Sequence, residues 1–157
     1  MYASYNNKSK SSNYGKPGNN SSAGHNNAPL PDLSEKKLPE NYIDLAEKTM
    51  ENIFQQRVKL TTSKIRNILS MISDIYNVEI NRTEMTLAPE NQNRIQMIRV
   101  RLAYECGREE TVKTFVEKAH LLNYIKGIHD SRNEFIRFAR YMEALVAYHR
   151  FFGGTDQ

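Results

Sequence analysis

From Pro39 onward the apolar residues recur at helical spacing, and the residues between the runs are of the kinds that start and stop helices. Pro39 suits a first-turn position, and Ile43, Ala46, Met50, Ile53 and Phe54 form one face of a first helix reaching about Gln55. Thr61 or Thr62 can cap a second helix with the stripe Ile65, Ile68, Leu69, Ile72, Ile75 and Tyr76, ending near Asn77. Pro89 opens a third, with Ile95, Ile98, Leu102 and Cys106 facing inward until Gly107 interrupts it. Val112, Phe115, Val116 and Ala119 give a shorter fourth helix, followed by a turn over Leu122 to Gly127. Ser131-Arg132-Asn133-Glu134 reads as a capping box for a fifth, which runs to Gly153-Gly154. No segment alternates with period two. The expected fold is therefore all-α, a compact bundle of about five helices.

The fifth helix carries more apolar surface than one buried stripe needs. Phe135, Phe138, Ala139, Met142, Leu145, Val146 and His149 form that stripe, but Ile136, Tyr141, Ala144, Ala147, Tyr148 and Phe151 lie off it. Such a helix is either central in its own bundle or half-covered by another chain. On the second reading Tyr141, Ala144, Tyr148 and Phe151 form a protein interface.

Before Leu30 the pattern disappears, leaving mostly Asn, Ser and Gly with three tyrosines, too little apolar surface to offset the entropy of ordering. The expected organisation is a disordered tail over residues 1–38 and a helical domain over residues 39–157. Charge follows the same division: of the formal +4, Lys8, Lys10 and Lys16 precede the first acid, Asp32, so the rest of the chain is nearly neutral. A nucleic acid would have to be held by local clusters and not by a global field. Cys106 is the single cysteine, which excludes a disulfide framework and suits a reducing compartment. With neither a signal-peptide core nor a stretch of about 20 apolar residues, a soluble cytoplasmic chain with no membrane contact is expected.

Catalytic chemistry finds no foothold. Glu117 and His120 have the Glu-x-x-His spacing of di-iron bundles, but such sites need a second copy and two more carboxylates. His25, His129 and His149 have no partner at ligand spacing, and Cys106 sits on an apolar stripe without a histidine motif. Without a glycine-rich loop joining strand to helix, no nucleotide cofactor is expected, and neither is a metal.

The cations are better organised. Arg94, Arg101 and Arg108 recur every seven residues, with Met97 and Tyr104 beside them, and Arg132, Arg137, Arg140 and Arg150 lie on or flank the outer side of the fifth helix. At the start of the second helix, Lys59, Thr61, Thr62, Ser63, Lys64 and Arg66 bring hydroxyls, free amides and cations together, a favourable place for a phosphate. The alternative is a solvated face paired to Glu105, Glu109 and Glu143.

Residues 60–69 (LTTSKIRNIL) and residues 138–154 (FARYMEALVAYHRFFGG) closely resemble the small subunit of the type III-A CRISPR (Csm) interference complex, and residues 101–108 (RLAYECGR) look like that family's middle helix. The resemblance covers about residues 40–154. It implies a subunit without activity of its own, stacked in several copies beside the backbone subunits, lining the channel where guide RNA pairs with target RNA, with cleavage left to the backbone and large subunits. The implied partners are the guide and target RNA backbone, other copies of itself, and those subunits. The RNA contacts then fall to Lys59, Thr61, Ser63, Lys64, Arg66, Arg94, Arg101, Arg108, Arg132, Arg137 and Arg140. A helix-turn-helix DNA-binding dimer is the alternative, with the second helix as reader, although Asn67, Ser70 and Asp74 make a poor base-reading set.

Overall fold

The structure, a computed structural model, describes residues 29–156. Six helices follow one another: α1 (Tyr42–Gln55), α2 (Thr62–Glu79), α3 (Pro89–Arg108), α4 (Glu110–Lys118), α5 (Leu121–Ile128) and α6 (Arg132–Phe151). The apolar stripes meet in one core: Ala46, Met50 and Ile53 from α1, Ile65, Ile72 and Ile75 from α2, Leu102 from α3, Phe115 from α4, and Phe135, Phe138, Met142 and Leu145 from α6. The bundle gathers on α6, which packs against α1, α2 and α5, while α3 packs against α2, α4 and α5. No described helix is long and apolar enough to cross a membrane.

Two expectations are corrected. The turn over Leu122 to Gly127 is a helix, α5, with Leu121, Tyr124, Ile125 and Ile128 buried. Its turn-like residues serve packing instead. Asn123 is buried, its amide donating to the carbonyl oxygens of Asp32 (2.9 Å) and Ser34 (2.7 Å), while its own carbonyl accepts from the Lys36 N–H at 3.1 Å. A Cβ on Gly127 would overlap the Lys36 carbonyl, so only glycine lets that strand of backbone cross so close.

The domain boundary moves for the same reason. Residues 1–28, which hold most of the expected tail, lie outside the described residues, but residues 32–38 run along α5 and belong to the domain. Leu38 is buried, a contribution of about 1.5–3 kcal/mol. Arg137 donates from α6 to the carbonyl oxygens of Leu38 (3.1 Å) and Pro39 (2.9 Å).

The helix ends are partly as expected. The Thr61 hydroxyl accepts from the Lys64 N–H (3.4 Å), and the Ser131 hydroxyl from the Glu134 N–H (3.3 Å). The capping box forms only by half: the Ser131 N–H donates to Ile128, and the Glu134 carboxylate turns to Arg137 at 3.0 Å.

Candidate nucleic-acid and protein interfaces

The cation strip on α3 forms as its seven-residue spacing dictates. Arg101 and Arg108 are exposed, and Arg94 is half-buried with its guanidinium 3.3 Å from the Asn91 amide oxygen. Arg108 lies 3.4 Å from the Glu105 carboxylate and 5.6 Å from the Tyr104 ring centroid, so its head is steered by a neighbour on each side. Arg101 has no ion pair among the described residues.

Two grooves run along the seam of α2 and α3. One, of about 730 Å3, has Met71, Met97, Val100 and Tyr104 as apolar walls. Its charged lining is Arg94 and Arg101 against Asp74 and Glu90. The other, of about 470 Å3, shares Met71 and Arg101 and adds Lys64, Arg108, Glu105 and Glu109. Lys64 of α2 therefore joins the α3 strip across the seam, which sequence spacing within single helices could not reveal. It is paired to Glu109, whose carboxyl is held below the ordinary glutamate range by the Lys64 ammonium and the Thr111 hydroxyl.

The phosphate site expected at the start of α2 is corrected in one respect: several of its donors already have partners in the chain. The Thr62 N–H donates to the Thr155 carbonyl (2.9 Å), and the Ser63 hydroxyl reaches the Asp156 carbonyl at 3.5 Å. The Asp156 carboxylate sits between Arg66 (3.9 Å) and Arg150 (3.7 Å). The start of α2 is thus already covered by the backbone of residues 155 and 156 of the same chain. Lys59 and Arg66 stay exposed beside it.

The cations of α6 separate into structural and free ones. Arg137 is 9% exposed and fully engaged by Leu38, Pro39 and Glu134, with Tyr42 under its guanidinium at 5.6 Å. Arg132 is half-buried, its Nε donating to the Glu79 carbonyl at 2.6 Å and an Nη to Ile80. Both guanidinium groups are held by backbone carbonyls of the same chain, so neither is a free cation for RNA. Arg140 is exposed, beside the phenols of Tyr76 and Tyr42.

Arg132 and Arg137 take these positions because of groups that periodicity does not expose. Glu79 was one of them, a carboxylate inside the bundle. It accepts from Asn91 (2.6 Å), the Ala88 N–H (3.1 Å) and Arg82 (2.8 Å), joining the end of α2 to the start of α3. Burial favours its neutral form, and those three donors outweigh burial to leave its pKa below the ordinary value.

On α6 the interface set divides likewise. Tyr141 is 0% exposed, donates to the Ala119 carbonyl (3.1 Å) and meets the Tyr124 ring edge-on at 5.7 Å. It is a core residue, and its assignment to an interface is corrected. A central α6 has two buried flanks, and Tyr141 faces the one lined by α5. Ala144 and Tyr148 are half-buried, Tyr148 being stacked on Phe152 at 6.3 Å and close to Glu47. Phe151 is 79% exposed.

Among the described residues no three histidine, cysteine, aspartate or glutamate side chains gather as a metal site. His120 instead ends α4 in the left-handed region, φ 52°, near the Lys36 ammonium. Burial, with Glu117 nearby, pushes the Cys106 thiol up to about 11, which removes it as a nucleophile at neutral pH.

Comparison with known proteins covers the helical part of the chain. The family model described as Csm2 Type III-A matches residues 36–155. A Streptococcus thermophilus protein named CRISPR system Cms protein Csm2 is 42% identical over 120 residues, covering 74% of this chain and 95% of that one. The protein of the same name from Mycobacterium tuberculosis H37Rv is 40% identical over 99 residues, 63% of this chain and 80% of its own. That from Enterococcus italicus is 36% identical over 99 residues, 62% of this chain and 71% of its own.

Proposed function

We propose a role that proceeds from one fact, that this chain belongs to the Csm2 type III-A family and is a non-catalytic small subunit of a CRISPR effector complex. In that complex several copies stand in a row along the channel where guide and target RNA pair, and they hold RNA by its backbone. The backbone and large subunits are the other partners.

The observation that carries the RNA reading is the exposed line of Arg101 and Arg108 on α3, joined across the seam by Lys64 and followed at the start of α2 by Lys59 and Arg66. Arg94 and Arg140 extend it. These are cations on helix faces without a paired amide or carboxylate set for base edges, which is the chemistry of phosphate and sugar contact. A subunit that must accept any guide needs contacts of this kind, leaving sequence to base pairing. Thr61 and Ser63 are support for this edge and not its donors, since one caps α2 and the other meets Asp156.

Tyr148, Ala144 and Phe151 supply the contact to neighbouring protein. The test is affinity purification of the chain from a host carrying the type III-A system. Recovery of a short guide RNA with the other subunits is expected, and recovery of duplex DNA alone would favour a DNA-binding regulator instead.

A further inference from the structure

Most cations of the proposed RNA edge already face a carboxylate of the same chain. Glu105, one turn back on α3, lies 3.4 Å from Arg108. Glu109, where the chain breaks between α3 and α4, holds Lys64 across the seam. Asp156 stands between Arg66 (3.9 Å) and Arg150 (3.7 Å). None of these pairs is closed off from solvent, since every side chain in them is between 31% and 61% exposed.

Two of the carboxylates are put in place by more than their cations. Glu109 also accepts from the Thr111 hydroxyl at 2.8 Å, and with the Lys64 ammonium that bond keeps it anionic. Asp156 is delivered by a turn that needs two glycines: Gly153 has a φ of 99°, and a Cβ on Gly154 would overlap the His149 ring. The turn is then fastened where the Thr155 carbonyl accepts from the Thr62 N–H at 2.9 Å. Open pairs of this kind add little to the stability of a fold. Their larger effect is on what else reaches the cation, because a phosphate has to displace or share it with the carboxylate already there.

We infer that Glu105, Glu109 and Asp156 are specificity residues of the RNA edge, each holding a cation against any single phosphate. A loosely held polyanion is then bound weakly, and only a strand that meets several cations at once is retained. The inference rests on the RNA reading above and adds what that edge rejects.

The test measures binding of the full chain to a mixed-sequence single-stranded RNA by fluorescence anisotropy over a range of salt concentrations. Glu105→Gln, Glu109→Gln and Asp156→Asn keep shape and remove charge. Glu51→Gln is the control for total charge, being exposed, hydrogen-bonded to Gln55 and without an ion pair among the described residues. Each of the three paired variants should tighten binding by about 1.5- to 5-fold. Salt dependence should steepen with them, since no displaced carboxylate takes up a cation from solution. Glu51→Gln should do neither, and all melting temperatures should stay close to that of the unaltered chain. If Glu109→Gln loses stability, Glu105→Gln and Asp156→Asn decide the matter alone. Unchanged affinity in the paired variants overturns the inference, as does an equal gain from Glu51→Gln. Failure of the unaltered chain and every variant to bind RNA overturns the RNA reading and this inference with it, so the two failures are told apart.

Discussion

The His149 ring donates through Nε2 to the carbonyl oxygen of Leu60 across 2.9 Å, tying the end of α6 to the linker before α2. A carbonyl only accepts, so Nε2 carries the proton, and Nδ1 is left facing the Thr62 hydroxyl at 3.4 Å. Gly154 lies against the same ring, where a Cβ would overlap it.

This relationship fixes a pH dependence. Burial lowers the pKa of His149, opposed by its bond to Leu60, and burial with the nearby Lys36 lowers that of His120. The unfolded chain therefore takes up protons first, so stability present above pH ~6.5 is lost as pH falls toward the folded-state values. Urea midpoints measured between pH 7.5 and 5 should fall, and His149→Gln should flatten the slope.

Gly127→Ala forces a methyl into the Lys36 carbonyl and should cost about 1–3 kcal/mol. Hydrogen exchange should show the Lys36 amide losing protection before the amides of α2 do. Equal loss across the bundle would mean that residues 32–38 are not a separate layer.

Tyr141 and Phe151 should behave oppositely although both lie off the main stripe. Truncating buried Tyr141 to alanine is expected to cost about 3–5 kcal/mol. Phe151→Ala should change stability by no more than about 0.5 kcal/mol. Thermal melts of the two variants decide it.

Replacing Arg101 and Arg108 with alanine should weaken RNA binding without lowering the melting temperature, as both are exposed. If each meets one phosphate of a single strand, the log–log salt slope should shrink by about 1.4. An unchanged slope would take this strip off the RNA path.

Glu79→Ala leaves Arg82 and Asn91 without their acceptor and should cost about 3–5 kcal/mol. Its depressed pKa places its stabilising effect above the ordinary glutamate value, to be lost as pH falls through the folded one. Acid unfolding of the unaltered chain against this variant, followed by circular dichroism, checks both points.

Much of the fold was legible because α1 to α4 and α6 each carry an apolar stripe, and side-chain caps mark the starts of α2 and α6. α5 was not, since at eight residues it is too short to show periodicity and contains Asn123 and Gly127, which look like turn residues until the backbone crossing them is known. Spacing along one helix placed Arg94, Arg101 and Arg108 together. It could not tell that Arg137 is buried against Leu38 and Pro39, or that Lys64 joins the strip from another helix, because those facts depend on partners far away in sequence. Asp156 was invisible as a partner of Arg66 for the same reason.

The central place of α6 has a consequence during synthesis. Its guanidinium at Arg137 closes on Leu38 and Pro39, nearly one hundred residues earlier, and α6 is the main packing surface of α1 and α2. As a ribosome delivers the chain, five helices emerge before the one on which α1, α2 and α5 pack. A nascent chain stalled before Arg132 would lack the surface on which α1 and α2 chiefly pack, so closure of the bundle waits for α6.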